Sequence, residues 1–123
     1  MTAAANDPAT KTVTLEKDQF LIHEGDTSTQ MYYLVKGTLG VFKRKGDGLA
    51  QIGNILEGEI VGEMSFLDKA PRCASVKALV DSELIVIPHE KFEAFFKTQP
   101  VWYQALVHTL LDRLRRANAR IRV

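Results

Sequence analysis

Short apolar runs alternate with glycine-containing turns through the first two thirds of the chain. Seven runs have the length and the β-branched or aromatic content typical of strands: 13–15, 19–23, 31–36, 38–45, 50–55, 75–80 and 83–88. All glycines lie between Gly25 and Gly62, and glycine tolerates the positive φ that tight turns often require. Lys36-Gly37 predicts a hairpin turn, and 45–48 predicts a looser one. About eight short strands joined by such turns predict a β-sandwich or barrel.

The hydrophobic period changes after Pro88. Phenylalanines at 92, 95 and 96 predict a helix over about 89–98 that ends before Pro100. Apolar residues at 107, 110, 111, 114, 117 and 121 then predict a second helix over 101–121. Because these residues form a short heptad pattern, we expect a homodimer through this helix; the alternative is a helix packed on its own barrel.

Length and composition limit the class of protein. The sequence has 123 residues, 46% of them hydrophobic and 25% charged, which fits one globular domain. We expect a flexible segment over 1–12 and a single domain over 13–123. Cys73 is the only cysteine, which excludes an internal disulfide and four-cysteine metal sites. No apolar run approaches the ~20 residues of a membrane helix, so we expect a cytoplasmic protein without a membrane partner.

The near-neutral net charge of +1 conceals an uneven distribution. Residues 112–122 carry five arginines against one aspartate, whereas residues 1–111 carry 11 basic and 14 acidic groups. Clustered arginines attract nucleic-acid phosphates. A solvated helix face, or a junction to an output domain, explains them more simply, so direct nucleic-acid binding is not expected.

Residues 58–76 combine features that suit a sugar-phosphate ligand. Gly62 permits a sharp turn, and Glu63 begins a short predicted helix whose first N–H groups lack internal partners and attract phosphate. Pro71 stops that helix, and Arg72 follows at the start of the next predicted strand, with a guanidinium that can bind two phosphate oxygens. An acid beside an anion site makes sense if the ligand also carries a hydroxyl group. On composition alone, a Glu63–Arg72 salt bridge on a loop is the alternative.

The order of residues in this segment resembles a known motif. Gly62-Glu63-Met64-Ser65-Phe66-Leu67 and Pro71-Arg72-Cys73-Ala74-Ser75-Val76 are similar to the phosphate-binding cassette of cyclic nucleotide-binding domains, as in catabolite activators and regulatory subunits of cAMP-dependent kinase. Phe20, Gly25-Asp26 and 31–39 look like the early strands of that family, and 110–118 is similar to the long C-terminal helix of the catabolite activator group. The resemblance covers about residues 13–121.

The resemblance implies a fold, a ligand and a set of site residues. The fold is a mainly β, α+β architecture: an eight-stranded, jelly-roll-like β-roll with a short cassette helix and C-terminal helices. The ligand is a cyclic mononucleotide, cAMP in preference to cGMP, with no cofactor. Glu63 would accept the ribose 2′-hydroxyl and Arg72 would bind the exocyclic phosphate oxygens. The remaining expected contacts are backbone amides at Gly62, Met64, Ser65, Cys73 and Ala74, apolar neighbours Ile60, Val61 and Val76, and base contacts from Arg115 and Asn118.

Three of these residues, Cys73, Arg115 and Asn118, have more than one interpretation. Cys73 follows the arginine at a position where some relatives use a hydroxyl to select the base, and a thiol is a weak hydrogen-bonding group, which argues against cGMP selectivity by that route. A small buried residue beside the pocket is the favoured interpretation of Cys73, and a redox switch is the alternative. For Asn118, and equally for Arg115, simple solvent exposure is the alternative.

The sequence favours a sensor over an enzyme. His23, His89 and His108 are dispersed rather than clustered as metal ligands would be, and no residue lies in a nucleophile-elbow context. We therefore expect a non-enzymatic sensor in which the ligand shifts the C-terminal helix, with output through self-association or a separate protein or domain. The alternatives are a β-roll interaction module that no longer binds nucleotide, and the sensor half of a transcription regulator.

Overall fold

The computed structural model describes residues 11–121, without the side chains of 66–68 and 118–121. The expected flexible segment therefore lies almost entirely outside the described residues. Eight strands and three helices follow one another in this order: β1 (Thr12–Leu15), β2 (Phe20–Ile22), β3 (Met31–Lys36), β4 (Leu39–Lys45), β5 (Gly48–Ile55), β6 (Ile60–Val61), α1 (Glu63–Asp68), β7 (Ser75–Ala78), β8 (Ser82–Ile87), α2 (His89–Phe96) and α3 (Val101–Ile121).

The strands form two antiparallel four-stranded sheets, with the orders β1-β8-β3-β6 and β2-β7-β4-β5. The predicted mainly β fold with an eight-stranded roll is confirmed. The two-residue strand β6 was not predicted, because Ile60–Val61 is too short to show a period; it pairs with Tyr32 and Tyr33 of β3.

The two predicted turns exchange their roles in the structure. The hairpin predicted at Lys36-Gly37 is wrong, because β3 and β4 belong to different sheets and the chain crosses between them here. Gly37 has φ +109, and a Cβ at this residue would collide with Ser82. The turn predicted to be loose is the tight hairpin: Lys45 pairs with Gly48, and Gly46 takes φ +60 as the first of two loop residues.

The core lies between the two sheets. Leu34 and Leu84 from one sheet and Leu39 and Ala78 from the other are fully buried and belong to one cluster. Leu34 and Ala78 have half-buried neighbours on both sides, as expected when one face of a sheet meets a core, whereas β8 buries residues 84–86 in succession. The cassette segment connects β6 of the first sheet to β7 of the second, so the core anchors both of its ends.

From His89 onward the chain forms a second compact unit. Helix α2 ends at Phe96, two residues before the predicted end, because the side chain of Thr98 donates a hydrogen bond to the Phe95 carbonyl at 2.6 Å and closes the last turn. Phe96 is buried and contacts His108 of α3 edge-on, with ring centroids 5.4 Å apart. Within the part of the chain that is described, neither long helix has the apolar length needed to cross a membrane.

Candidate functional site

The turn before α1 is built around one glycine. Gly62 caps the helix with φ 86 and ψ 18, a left-handed conformation that side-chain-bearing residues rarely adopt. A Cβ on Gly62 would lie 2.5 Å from Nη1 of Arg72 and 3.1 Å from the carbonyl oxygen of Gln30. The backbone can therefore approach the arginine this closely only because residue 62 has no side chain.

After α1 the chain turns back, so that Arg72 lies beside Gly62. Lys69 takes a left-handed φ of 58, and its N–H donates to the carbonyl of Ser65 at 2.9 Å, which ends the helix. Arg72 follows in a loop, not at the start of a strand as predicted, since β7 begins three residues later at Ser75. This loop places the Arg72 side chain beside Gly62.

Arg72 is almost completely buried, with 4% of its surface exposed. Its guanidinium donates three hydrogen bonds to neutral oxygens: Nε to Ser28 Oγ at 3.2 Å, Nη1 to the Gly62 carbonyl at 3.2 Å, and Nη2 to the Gln30 carbonyl at 2.7 Å. Among the side chains that the structure describes, no carboxylate forms an ion pair with it. The alternative of a Glu63–Arg72 salt bridge is thus not what the structure contains.

These contacts leave a buried positive charge that no carboxylate contacts directly among the described side chains; Asp26 and Glu63 act on it only through coulombic attraction at longer range. Burial lowers the pKa of Arg72 below the usual value of an arginine, because the loss of water disfavours the charged form. A guanidinium has five N–H groups, and one on each terminal nitrogen has no acceptor among the described residues. Two remaining donors on one planar cation can bind two oxygens of a phosphate together.

The loop between β2 and β3, which was not predicted to belong to the site, provides two of the three acceptors of the Arg72 guanidinium. The backbone of Arg72 pairs with residues 25–26 through two hydrogen bonds of 2.8 Å, Gly25 N–H to the Arg72 carbonyl and Arg72 N–H to the Asp26 carbonyl. Ser28 and Gln30, from the same loop, accept bonds from the guanidinium. The only sequence signal was the Gly25-Asp26 pair, and Ser28 and Gln30 lie 44 and 42 positions from Arg72.

An ion pair between Lys43 and Glu24 lies next to the residue that follows Arg72. Lys43 Nζ donates to the carbonyl of Cys73 at 2.5 Å and to the carboxylate of Glu24 at 3.3 Å. The backbone N–H of Arg44 also donates to Glu24, and this bond is the main cause that lowers the pKa of Glu24 below its usual 4.5. These bonds tie the strand β4 to the segment that follows Arg72.

The other expected cassette residues lie around this centre. Glu63 and Met64 are half-buried in the first turn of α1, and Ser65 is buried. Val61 and Val76 belong to the core, Ile60 is exposed in β6, and Ala74 is half-buried. The structure therefore brings the expected backbone turn, the acid and the arginine into one segment.

The burial expected for Cys73 is wrong: this residue is exposed. Cys73 lies in a bend before β7, next to Arg72, which is buried. Cys73 faces solvent while its carbonyl is bound by Lys43.

The two candidate base contacts belong to the separate C-terminal unit. Arg115 is on α3 and donates to Asp112 at 2.9 Å, one helical turn away. The side chain of Asn118 lies outside the described residues. Among the residues that are described, no three acidic, histidine or cysteine side chains are grouped so as to hold a metal ion.

Comparison with known proteins gives the site a context. The family model described as the cyclic nucleotide-binding domain matches residues 12–99. The chain is 30% identical over 103 residues to the lysophospholipase NTE1 of Cryptococcus neoformans, covering 84% of this chain and 6% of the relative. It is 32% identical over 102 residues to the cyclic AMP receptor protein of Thermus thermophilus, covering 80% of this chain and 46% of the relative.

Solved structures show the same likeness. The cAMP-bound form of the EAL enzyme Bd1971 superimposes with a TM-score of 0.76 at 34% identity, over 89% of this chain and 29% of that one. Its cGMP-bound form gives a TM-score of 0.78 at 33% identity, over 89% and 30% of the two chains. The chain thus spans less than half of these longer proteins, and the part that they share with it is a regulatory domain. On the family match and the fold together, the chain belongs to the cyclic nucleotide-binding domains.

Proposed function

We propose that this chain is a sensor domain that binds a cyclic mononucleotide at the cassette formed by Gly62, Glu63 and Arg72. The observation that carries the proposal is the buried Arg72 guanidinium, whose partners among the described residues are neutral oxygens. A charge in this position is stabilised when an anion binds, because removing it from water is costly without a counter-charge.

Each part of a cyclic nucleotide then has an assigned partner. The exocyclic oxygens bind the two remaining N–H groups of Arg72, and the ribose 2′-hydroxyl donates to the carboxylate of Glu63. Backbone N–H groups of Gly62, Met64, Ser65, Cys73 and Ala74 complete the phosphate contacts, and Ile60, Val61 and Val76 border the sugar and the base. A hydrogen bond to a charged group contributes about 1.5–3 kcal/mol, so a few of these with base packing reach micromolar affinity, about 8 kcal/mol.

We propose cAMP as the preferred nucleotide. Cys73 is exposed and carries a thiol, a weak donor and acceptor, where a hydroxyl would favour guanine. Solved forms of the similar EAL enzyme hold either cAMP or cGMP, so the shared fold accommodates both bases. Arg115 and Asn118 of α3 remain our candidates for base contacts.

The proposed output is a ligand-dependent shift of α3 in a homodimer. A ligand changes such an equilibrium only through its different affinity for the two arrangements. The domain itself is non-enzymatic in this proposal, acts in the cytoplasm, and transmits its state to a separate output protein or domain. The match to the nucleotide-binding portion of the Thermus receptor supports a sensor of a longer regulator as one form of this role.

Thermal unfolding of the full chain with and without nucleotide tests the function. A ligand at about 100 times its Kd stabilises the folded state by about 2.7 kcal/mol, so we expect the melting temperature to rise with cAMP and to rise less with cGMP. The open-chain nucleotide 5′-AMP serves as the control and should give little shift. No shift with either cyclic nucleotide would indicate instead a β-roll interaction module that does not bind nucleotide.

A further inference from the structure

The loop 26–30 between β2 and β3 provides two of the three acceptors of the Arg72 guanidinium. Ser28 Oγ accepts the Nε–H at 3.2 Å, and the Gln30 carbonyl accepts an Nη2–H at 2.7 Å. The loop is itself fixed to the arginine by the backbone pair between Asp26 and Arg72, at 2.8 Å. A side chain in this loop is therefore in a position to set the orientation of the charged group.

Ser28 is the only member of this loop whose side chain bonds to Arg72 among the described residues. The Gln30 contact is made by the backbone, and the Gln30 side chain instead accepts a long hydrogen bond from Tyr32 at 3.4 Å. Nε carries a single N–H group, and Ser28 occupies it. A phosphate cannot then bind Arg72 side-on through Nε, and the two terminal nitrogens are what remain for it.

We propose that Ser28 is a positioning residue for the nucleotide: its hydroxyl fixes the plane of the Arg72 guanidinium so that the phosphate binds end-on through Nη1 and Nη2. This inference rests on the proposed function. Ser28 lies outside the cassette, in an exposed loop 44 positions before Arg72 in the chain. Fixing the guanidinium before the ligand arrives reduces the conformational entropy lost on binding.

The test compares three substitutions at Ser28 with one neighbour. Ser28→Ala removes the acceptor, Ser28→Thr keeps a hydroxyl, and Ser28→Asp places a carboxylate beside Nε. Thr27→Ala is the matched control, since Thr27 is exposed in the same loop and makes no bond to Arg72 in the described structure. Affinity for cAMP is measured by calorimetry on the full chain, and thermal unfolding without ligand reports the stability of each variant.

We expect Ser28→Ala to weaken cAMP binding by about fivefold to tenfold, the equivalent of one modest hydrogen bond, and to lower the melting temperature of the ligand-free protein slightly, because a buried N–H group loses its acceptor. Ser28→Thr and Thr27→Ala should bind like the wild type. Ser28→Asp should lose more than about 30-fold, because its carboxylate neutralises Arg72 and competes with the phosphate, while the ligand-free protein stays as stable as the wild type.

A second readout separates positioning from a general effect of the loop. The Nε–H resonance of Arg72 in a ¹⁵N spectrum of the ligand-free chain should be sharp and protected from exchange in the wild type, Ser28→Thr and Thr27→Ala. It should broaden or disappear in Ser28→Ala, where Nε has lost its acceptor. A sharp, unshifted Nε–H signal in Ser28→Ala would overturn the inference.

The two proposals fail differently. If the wild type binds cAMP and Ser28→Ala binds it equally well, or Ser28→Asp binds no worse than Ser28→Ala, the role of Ser28 is wrong and the proposed function stands. If the wild type binds no cyclic nucleotide, the proposed function is wrong and the role of Ser28 falls with it.

Discussion

Arg72 combines three properties that few surface arginines share. It is buried, its guanidinium is bound by neutral oxygens, and it packs against Gly62, where any Cβ would collide with Nη1. Removing a charge from water costs several kcal/mol unless partners compensate, and carbonyl and hydroxyl oxygens compensate only in part. Three such partners hold the charge in the folded protein, and an arriving anion adds the counter-charge that they lack.

Glu63 should bind only the ribose 2′-hydroxyl of the nucleotide and not its phosphate. We expect Glu63→Ala to weaken cAMP binding by about tenfold to 100-fold, the loss of one charged hydrogen bond, and to leave the weaker binding of 2′-deoxy-cAMP almost unchanged. Competition binding with both nucleotides measures this. Glu90→Ala is the control, because Glu90 also lies in the first turn of a helix and contributes only to helix stability. A Glu63→Ala variant that still distinguishes the two nucleotides would contradict the role assigned to Glu63.

Glu24 should stabilise the fold in a pH-dependent way. Its carboxylate accepts hydrogen bonds from the Arg44 backbone and from Lys43, and the first of these is the main cause that lowers its pKa. A carboxyl group with a lowered folded-state pKa contributes stability above its unfolded pKa and loses that contribution as the pH falls through the folded value. We expect Glu24→Gln to lower the free energy of unfolding by about 1 kcal/mol at neutral pH.

Urea unfolding at neutral pH and again well below pH 4.5 measures the Glu24 effect, with Glu83→Gln at an exposed position of β8 as the control. The difference between Glu24→Gln and the wild type should shrink at the lower pH. A difference that is the same at both pH values would show that the carboxylate charge is not its source.

At the scale of elements, the strands with regular alternation or dense β-branched content were predictable, and the connections between them were not. Lys36-Gly37 has the composition of a hairpin, yet it joins two sheets because β3 pairs with β8 and β6, while β4 pairs with β5 and β7. Pairing between distant strands depends on the whole core, which local composition does not encode.

The helix α3 presents an apolar stripe to solvent within its own unit. Tyr103, Leu106, Leu110 and Leu114 are exposed, with Leu110 at 56%, whereas Val107 and Leu111 are half-buried. The exposed stripe therefore includes Leu110 and Leu114 of the predicted heptad pattern but not Val107, which is half-buried. Exposed leucines at this spacing are typical of a helix that pairs with another helix.

Self-association through α3 makes a direct prediction. We expect the wild type to sediment as a dimer and Leu110→Glu to sediment as a monomer, since a buried unpaired carboxylate would oppose the contact. Thr109→Glu adds the same charge to the preceding residue, away from the stripe, and should remain a dimer. A monomeric wild type at about 100 μM, or a dimeric Leu110→Glu, would contradict this assignment.

Across the whole molecule, the fold class and the order of the cassette residues were predictable from the sequence, whereas the contacts around Arg72 in the candidate site were predictable only in part. Gly62, Glu63 and Arg72 were predictable because they lie in one short segment with a recognisable order. Ser28 and Gln30 were not, because two polar residues in a polar loop carry no local signal and reach Arg72 only after both sheets have formed. Cys73 was predicted as buried because free cysteines usually are, whereas the structure has it exposed in the bend before β7.

A calorimetric titration of the wild type and Arg72→Ala with cAMP, supported by a thermal melt of each protein, tests nucleotide binding through Arg72 most directly. We expect micromolar binding by the wild type and none measurable by Arg72→Ala, because truncating one partner of a buried charged contact costs about 2–5 kcal/mol. Arg72→Lys keeps the charge without the planar fork and should bind only weakly, which covers the case in which Arg72→Ala does not fold. A folded Arg72→Ala variant that binds cAMP as tightly as the wild type would contradict nucleotide binding through Arg72.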